Sequence, residues 1–155
     1  MSKTNAVRIL ESKGVPFTLL NYEVSEDELD AVSVAKKIGF DPDSVFKTLV
    51  ARNEANSLLV FVIPGSCELD LKKAAKASGS KRIEMVKVKE LFELTGYIRG
   101  GCSPVGMKKN FPVFLDETAQ LFENISISAG VRGTQIIINP GDLINSIAAT
   151  SADLI

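Results

Sequence analysis

The sequence contains no histidine, so its chemistry must come from other side chains. The Ser-His-Asp and Cys-His nucleophile systems and imidazole acid–base catalysis are therefore excluded. Cys67 and Cys102 are the only cysteines, so a four-cysteine zinc site within one chain is excluded as well. We expect any reaction to use lysine, carboxylates, hydroxyls, backbone amides or the substrate itself, and we predict neither a metal nor a cofactor.

Lys47 is the first candidate for a functional side chain. It lies in the β-rich run 45–51, where strand alternation places it on the same face as Leu49 and Ala51. A lysine on an otherwise apolar face has two explanations. Either that face is exposed to solvent, or the lysine points into a pocket, where it would stabilise negative charge or transfer a proton.

The segment 100–106, GGCSPVG, has the highest density of glycine in the chain. Such a loop brings backbone amides close to a ligand and suits oxyanions and phosphates, although a plain structural turn is the alternative. The P-loop pattern fails, because Met107 and Lys108 follow Gly106. Without a histidine to activate its thiol, Cys102 is expected to pack in the interior or to line a pocket.

A second glycine-bearing segment, 128–133, combines a hydroxyl, backbone amides and a guanidinium. Ser128 and Arg132 in this segment are suited to an anion, and the alternative is a hairpin turn with an exposed arginine.

Positive charge is concentrated between residues 72 and 109. This stretch holds ten Lys or Arg and three acidic residues, a local charge of +7, whereas the other residues carry −8. The asymmetry favours a phosphate-bearing partner, and the alternative is a solvated lysine face.

Hydrophobic periodicity and turn residues predict the helices and strands that position these residues. Their order predicts one α+β domain over residues 1–155. Helices are predicted at 4–14, 25–39, 71–78, 87–95 and 142–149, and strands at 17–22, 45–51, 58–63, 82–86, 112–115, 125–128 and 135–138. We expect a mixed, strongly curved sheet, or a barrel, with short helices around it. The absence of a long apolar run and of a signal peptide at residues 1–8 predicts a cytoplasmic protein that does not enter a membrane.

Four segments occur in the order expected of one known family. They are Phe46-Lys47-Thr48-Leu49-Val50, LDLKKAAK at 69–76, the glycine-rich stretch 96–109, and SAGVRG at 128–133. Together they resemble the YbaK/EbsC family, whose members are stand-alone aminoacyl-tRNA deacylases related to the editing insertion of bacterial prolyl-tRNA synthetase. The resemblance extends from about Thr4 to the C-terminus.

The resemblance implies a mixed β-barrel and removal of cysteine from mischarged Cys-tRNA(Pro), with Cys-tRNA(Cys) as a second substrate. The substrate's own thiol would attack its ester and release a thiolactone. The implied catalytic residues are Lys47, Gly100, Gly101 and Ser103. The implied substrate-binding residues are Tyr22, Thr48, Cys102, Pro104, Gly106, Ser128 and Arg132. We predict that Lys72, Lys73, Lys76, Lys108 and Lys109 bind tRNA phosphates.

The expected partners are the acceptor end of a mischarged tRNA and, transiently, prolyl-tRNA synthetase, with no role for DNA. The chain departs from several relatives at Asp30-Ala31, where they carry an aromatic residue and glycine, and at Ala129, Val131 and Gln135. These departures concern the preferred amino acid more than the reaction. The alternatives are hydrolysis of another mischarged tRNA, such as Ala-tRNA(Pro), and a non-catalytic module that binds tRNA or a synthetase.

Overall fold

The computed structural model describes residues 3–155. The helices are α1 Asn5–Ser12, α2 Ala31–Ile38, α3 Leu71–Ser78, α4 Val88–Thr95 and α5 Pro140–Ile147. The strands are β1 Thr18–Asn21, β2 Phe46–Asn53, β3 Leu58–Pro64, β4 Ile83–Met85, β5 Val113–Asp116, β6 Ile125–Ser128, β7 Thr134–Ile138 and β8 Thr150–Ala152.

The strands form two sheets. One has five strands in the order β4-β2-β3-β5-β8, and the other has three in the order β1-β7-β6. The larger sheet is mixed, because β2 runs antiparallel to β3 and β4 whereas β5 runs parallel to β3 and β8. The α+β class and the mixed sheet are thus confirmed. Within the described residues 3–155, a single bridge between Val45 and Ser126 connects the sheets, and they do not close into one barrel.

Apolar side chains fill both faces of the larger sheet. On one face α1 and the smaller sheet enclose a core that includes Leu10, Val62 and Ile127. On the other face α3 packs against Phe61 and Ile63. Short capped helices therefore cover the sheet and leave one side of β2 accessible, as described below.

Two helices differ from the sequence prediction at their starts. Ser25 begins only the short 3-10 turn Glu26–Glu28, and α2 starts at Ala31. Asp30 is its N-cap, because its carboxylate accepts hydrogen bonds from the N–H and hydroxyl groups of Ser33. At α5, Asn139 caps a helix that starts at Pro140, since proline is favoured in the first turn.

Helix α4 differs in which of its apolar residues are buried. Helical spacing predicts one inward face formed by Val88, Leu91 and Phe92. Leu91 does pack against buried residues, but Val88 and Phe92 remain 61% and 59% exposed.

Strand β8 was missed, because its three residues, TSA, show no apolar alternation. No helix among residues 3–155 is long and apolar enough to cross a membrane.

Candidate active site

A cavity of about 390 Å³ lies between β2, the start of α2, the segment from β4 through α4, and the glycine loop. Small-molecule sites commonly have volumes of about 300–1,000 Å³. The lining is mostly apolar with a few polar groups, as expected of a site that orients a ligand. The polar or charged lining residues are Asp30, Lys47, Thr48, Arg99, Ser128 and Gln135.

The outer edge of β2 is open at this cavity. Strand β4 pairs only with residues 51–53 of β2. Residues 46–49 therefore pair with β3 along one edge, and their other edge carries no strand among residues 3–155 beyond the bridge between Val45 and Ser126. The carbonyl of Val50 accepts from Val86 N–H at 3.0 Å on this edge. Because strand backbone groups alternate in direction, the N–H and C=O groups of Thr48 point to the same edge.

Thr48 also brings an unsatisfied hydroxyl to the cavity. Its Oγ1 is buried and has no hydrogen-bond partner among residues 3–155. A buried hydroxyl without a partner costs free energy, so a ligand that hydrogen-bonds to it gains affinity.

Lys47 lines the cavity and is half-buried, so it does not lie on a fully exposed face. Leu49 and Ala51 pack towards α3, as the strand alternation predicts. Within residues 3–155 the amine of Lys47 forms no ion pair. Asp30 is the only carboxylate in the lining, and its bonds from the Ser33 hydroxyl and N–H lower its pKa, so it is ionised at neutral pH.

The glycine loop divides into two halves with different surroundings. Gly100 and Cys102 line the cavity. The N–H of Gly101 donates to the carbonyl of Ile98 at 3.0 Å, so it is not free to bind a substrate oxygen. Ser103 is fully buried, and its hydroxyl accepts from the N–H of Val105. Neither Gly101 nor Ser103 is part of the cavity wall, so their implied catalytic roles are not supported by this geometry.

The second half of the loop packs against α1. The Tyr97 hydroxyl donates to the carbonyl of Val105 at 2.6 Å, and the Asn5 amide donates to the carbonyl of Gly106 at 2.9 Å. Pro104 and Gly106 line a different cavity, of about 770 Å³, on this side of the loop. Both residues were expected to bind substrate, but neither lines the cavity beside Lys47, and the carbonyl of Gly106 is engaged by Asn5.

Arg132 also supports the loop rather than lining the cavity. Its Nε donates to the carbonyl of Arg99 at 2.8 Å. A Cβ on Gly101 would lie 3.2 Å from the backbone nitrogen of Arg132 and 3.3 Å from Val131. The glycine therefore permits the loop to approach the β6–β7 turn closely.

Three further side chains complete the comparison with the predicted site. Ser128 lines the cavity, and its hydroxyl accepts from the N–H of Gly130 at 3.1 Å. Gln135 lines it too, with its Oε1 accepting from the buried Ser126 hydroxyl at 2.8 Å. Tyr22 is half-buried beside β7, its N–H bonded to the carbonyl of Gly133, and does not line the cavity.

Burial raises the pKa of the Cys102 thiol to about 12. Burial also raises the pKa of the nearby Tyr97 phenol to about 12, and Cys102 adds to that shift. Both groups are therefore protonated at neutral pH, and a protonated thiol is a poor nucleophile. The interpretation of Cys102 as a pocket-lining residue agrees with this environment.

The five predicted tRNA-binding lysines lie in three places, and none lines the cavity. Lys72, Lys73 and Lys76 are on α3, where Lys73 pairs with Asp153 at 3.1 Å. Lys109 lines the second cavity, whereas the Lys108 amine lies over the ring of Phe92. Their role in binding tRNA stays a prediction.

Sequence reasoning missed Arg99 and the residues of α2 and α4 that line the cavity. Arg99 is exposed and directly precedes Gly100, so its position beside the loop was the available signal. Val34 and Leu91 reach the cavity only through tertiary packing, which one sequence does not reveal. Among residues 3–155 no three Cys, Asp or Glu side chains are grouped so that they could hold a metal ion.

Comparison with known proteins places the chain in a family. Residues 25–145 match the aminoacyl-tRNA editing domain. EbsC of Enterococcus faecalis (strain ATCC 700802 / V583), by its name a candidate Cys-tRNA(Pro)/Cys-tRNA(Cys) deacylase, is 52% identical over 138 residues. The match covers 89% of this chain and 84% of EbsC.

Two other relatives connect the chain to prolyl-tRNA synthetase. The proline–tRNA ligase of Shouchella clausii (strain KSM-K16) is 29% identical over 124 residues, which are 79% of this chain and 22% of the ligase. The crystal structure of a candidate trans-editing enzyme for prolyl-tRNA synthetase matches with a TM-score of 0.84 and 26% identity, covering 99% of this chain and 98% of that one. The chain therefore belongs to the YbaK/EbsC family of aminoacyl-tRNA editing domains.

Proposed function

We propose that the protein is an aminoacyl-tRNA deacylase that acts in trans and removes cysteine from mischarged Cys-tRNA(Pro), with Cys-tRNA(Cys) as a second substrate. Its family and its identity to EbsC over most of both chains support this proposal. The cavity supports it as well, because its volume and mixed lining suit an amino acid esterified to a terminal ribose.

The observation that carries the mechanism is the state of Cys102. It is the only thiol in the cavity wall, and burial raises its pKa to about 12. The chain also has no histidine to activate a hydroxyl. These two observations favour a nucleophile from the substrate or from water over an enzyme thiol or hydroxyl, and a cysteinyl ester brings its own thiol.

In the proposed reaction the substrate sulfur bonds to the ester carbonyl carbon. The carbon–oxygen bond to the ribose then breaks, and the thiol proton ends on the ribose oxygen. The products are a cysteine thiolactone and tRNA with a free 3′ end. The enzyme supplies orientation and stabilisation of the negative charge that develops on the carbonyl oxygen.

Lys47 is the proposed source of that stabilisation. It is a cation in the cavity wall that forms no ion pair among residues 3–155. Thr48 offers its hydroxyl, N–H and C=O groups to the same substrate. Among the implied loop residues Gly100, Gly101, Ser103 and Gly106, Gly100 alone lines the cavity. Together with Cys102 it is the proposed contact between the loop and the ester.

A deacylation panel tests this function. The same tRNA(Pro) is charged with cysteine, serine or alanine, and loss of each ester is followed with enzyme in excess. Cysteine should be removed at least about 100-fold faster than serine or alanine, because only a thiol is an effective internal nucleophile. Equal rates for cysteine and alanine would indicate water-mediated hydrolysis. Binding of tRNA without loss of any ester would indicate a non-catalytic module.

Variants at two lysines add a matched control to the panel. Lys47→Ala should lower kcat by about 100- to 1,000-fold, the usual cost of removing one group that stabilises an oxyanion. Lys36→Ala removes an exposed lysine of α2 that does not line the cavity, and its rate should equal that of the parent protein. If both variants kept full activity, Lys47 would have no part in the reaction.

Selection of tRNA(Pro) is proposed to come from a transient complex with prolyl-tRNA synthetase. The match to a segment of the Shouchella clausii proline–tRNA ligase supports this pairing, because a related domain there is carried within the ligase chain. Adding the synthetase should increase the preference for Cys-tRNA(Pro) over Cys-tRNA(Cys). An unchanged preference would argue against the complex.

A further inference from the structure

Helix α4 carries an exposed apolar strip that starts at the mouth of the cavity. Val88 lines the cavity and is 61% exposed, and Phe92, one turn further along the same face, is 59% exposed. The Cβ atoms of residues four apart on a helix lie about 5–6 Å from each other. The helical pattern would bury both side chains, so their exposure leaves apolar surface that nothing among residues 3–155 covers.

A cation is fixed beside the aromatic end of this strip. The Lys108 amine lies 5.6 Å from the centroid of the Phe92 ring and donates to the carbonyl of Glu93 at 3.1 Å. We call Val88, Phe92 and Lys108 the α4 strip. An exposed aromatic ring next to a positioned ammonium is the pair of groups that binds a nucleobase and its phosphate in single-stranded RNA.

The charges around the α4 strip favour RNA over an acidic or neutral partner. Lys87 and Lys89 lie at the start of the helix, and Arg99 lies at the cavity wall. Of the nearby acidic residues, Glu90 is engaged by the side chain of Arg52 and by the N–H of Lys87. Glu93, directly after Phe92, is exposed and forms no ion pair among residues 3–155. The four cations Lys87, Lys89, Arg99 and Lys108 outnumber Glu90 and Glu93, so the net charge at this face is positive, which attracts a phosphate backbone.

We propose that the α4 strip binds the unpaired nucleotide next to the esterified terminal adenosine of tRNA. The base stacks on Phe92, and its phosphate contacts the Lys108 amine. This inference rests on the proposed function, because it needs the ester to occupy the cavity. The RNA strand that leaves the cavity at Val88 then reaches Phe92 within one helical turn, a length that one nucleotide spans.

Two substrates of different length separate this role from one in the cavity. With Cys-tRNA(Pro), Phe92→Ala should lower kcat/KM by about 5- to 150-fold, the measured range for loss of one base–aromatic stack. With 3′-cysteinyl-adenosine, which has no second nucleotide, the same variant should react at the parent rate. Phe92→Trp keeps a stacking surface and should restore most of the activity on tRNA.

The matched control is Leu121→Ala. Leu121 is an 80% exposed apolar residue that lines neither of the two cavities described above. Its loss should change neither substrate's rate. Lys108→Gln should weaken the binding of tRNA. The association constant should also fall less steeply with salt, with the slope of its logarithm against log salt about 0.7 less negative, because one phosphate contact is lost.

Binding of uncharged tRNA tests the α4 strip independently of catalysis. A fluorescent base analogue at the penultimate position should be quenched by the parent protein and by Leu121→Ala, and much less by Phe92→Ala. This measurement does not depend on cleavage of an ester, so it distinguishes failure of the α4 strip to bind RNA from failure of the proposed deacylase function. Three outcomes overturn the inference: unchanged quenching in Phe92→Ala, equal loss of activity on both substrates, or an effect seen only when prolyl-tRNA synthetase is present.

Discussion

The pH dependence of deacylation identifies the nucleophile, because the two candidate thiols ionise in different ranges. A thiol in water has a pKa of about 8.5, whereas burial raises the pKa of Cys102 to about 12. At pH ~7.5 about a tenth of the first thiol is thiolate, against roughly 3 in 100,000 of the second. The ratio of about 3,000 separates the two pathways.

If the substrate thiol attacks, the rate rises about tenfold per pH unit in acid and levels off at or below pH ~8.5. Measured as kcat/KM, the profile reports the ionisation of the unbound substrate, so burial and the charges of Asp30, Lys47 and Arg99 at the cavity wall do not set the position of this plateau. If Cys102 attacks, the rate keeps rising beyond pH ~10.

The assay is single-turnover loss of ester from Cys-tRNA(Pro) between about pH 6 and pH 10, with the enzyme-free rate subtracted at each pH. Cys102→Ala should keep the plateau and most of the rate. Cys67→Ala is the matched control, because Cys67 is half-buried and does not line the cavity. A rate that climbs without a plateau, together with complete loss of activity in Cys102→Ala alone, would refute the substrate-assisted mechanism.

Three further predictions concern stability and binding. Because the unfolded Cys102 thiol loses its proton first, the free energy of unfolding should fall by about 2 kcal/mol from pH ~7 to pH ~10, and urea unfolding of Cys102→Ala should lack this part of the fall. Gly106→Ala should lower Tm more than Gly39→Ala. Both glycines have positive φ, but only at Gly106 would a Cβ contact other atoms, at 2.9 Å from the Tyr97 hydroxyl. Thr48→Val should raise the free energy of unfolding by about 1 kcal/mol and yet raise KM, since it removes a buried hydroxyl that only the substrate satisfies. An unchanged KM would show that Thr48 Oγ1 does not contact the substrate.

Local signals predicted the elements that depend on local physics. Asp70 caps α3 by accepting from the N–H groups of Lys72 and Lys73, and Gly79 ends it in the left-handed conformation. Hydrophobic alternation likewise placed Lys47 correctly on its strand. Each of these features involves residues within a few positions of each other, so the sequence carries them directly.

Features that depend on tertiary packing were not predictable in this way. The glycine loop divides at Ser103 because the Asn5 amide, 101 residues away, binds the carbonyl of Gly106. The exposure of Phe92 is of the same kind, because helical periodicity defines an apolar face without saying whether another element covers it. Both features matter for the proposals above, since one leaves only Gly100 and Cys102 of the loop at the cavity wall and the other exposes the ring that we propose to stack on a base.

The departures from the family pattern separate reaction from selectivity. Asp30, Ala31 and Gln135 line the cavity, whereas Ala129 and Val131 do not. A Cβ on Gly65 would lie only 2.0 Å from that of Ala31, so the start of α2 is packed tightly against the end of β3. The backbone that carries Asp30 is thereby fixed at the cavity wall, and its ionised carboxylate shares the lining with the cations Lys47 and Arg99. We therefore expect Asp30, Ala31 and Gln135 to affect the choice of amino acid, and Lys47 and Thr48 to act on the ester as proposed above.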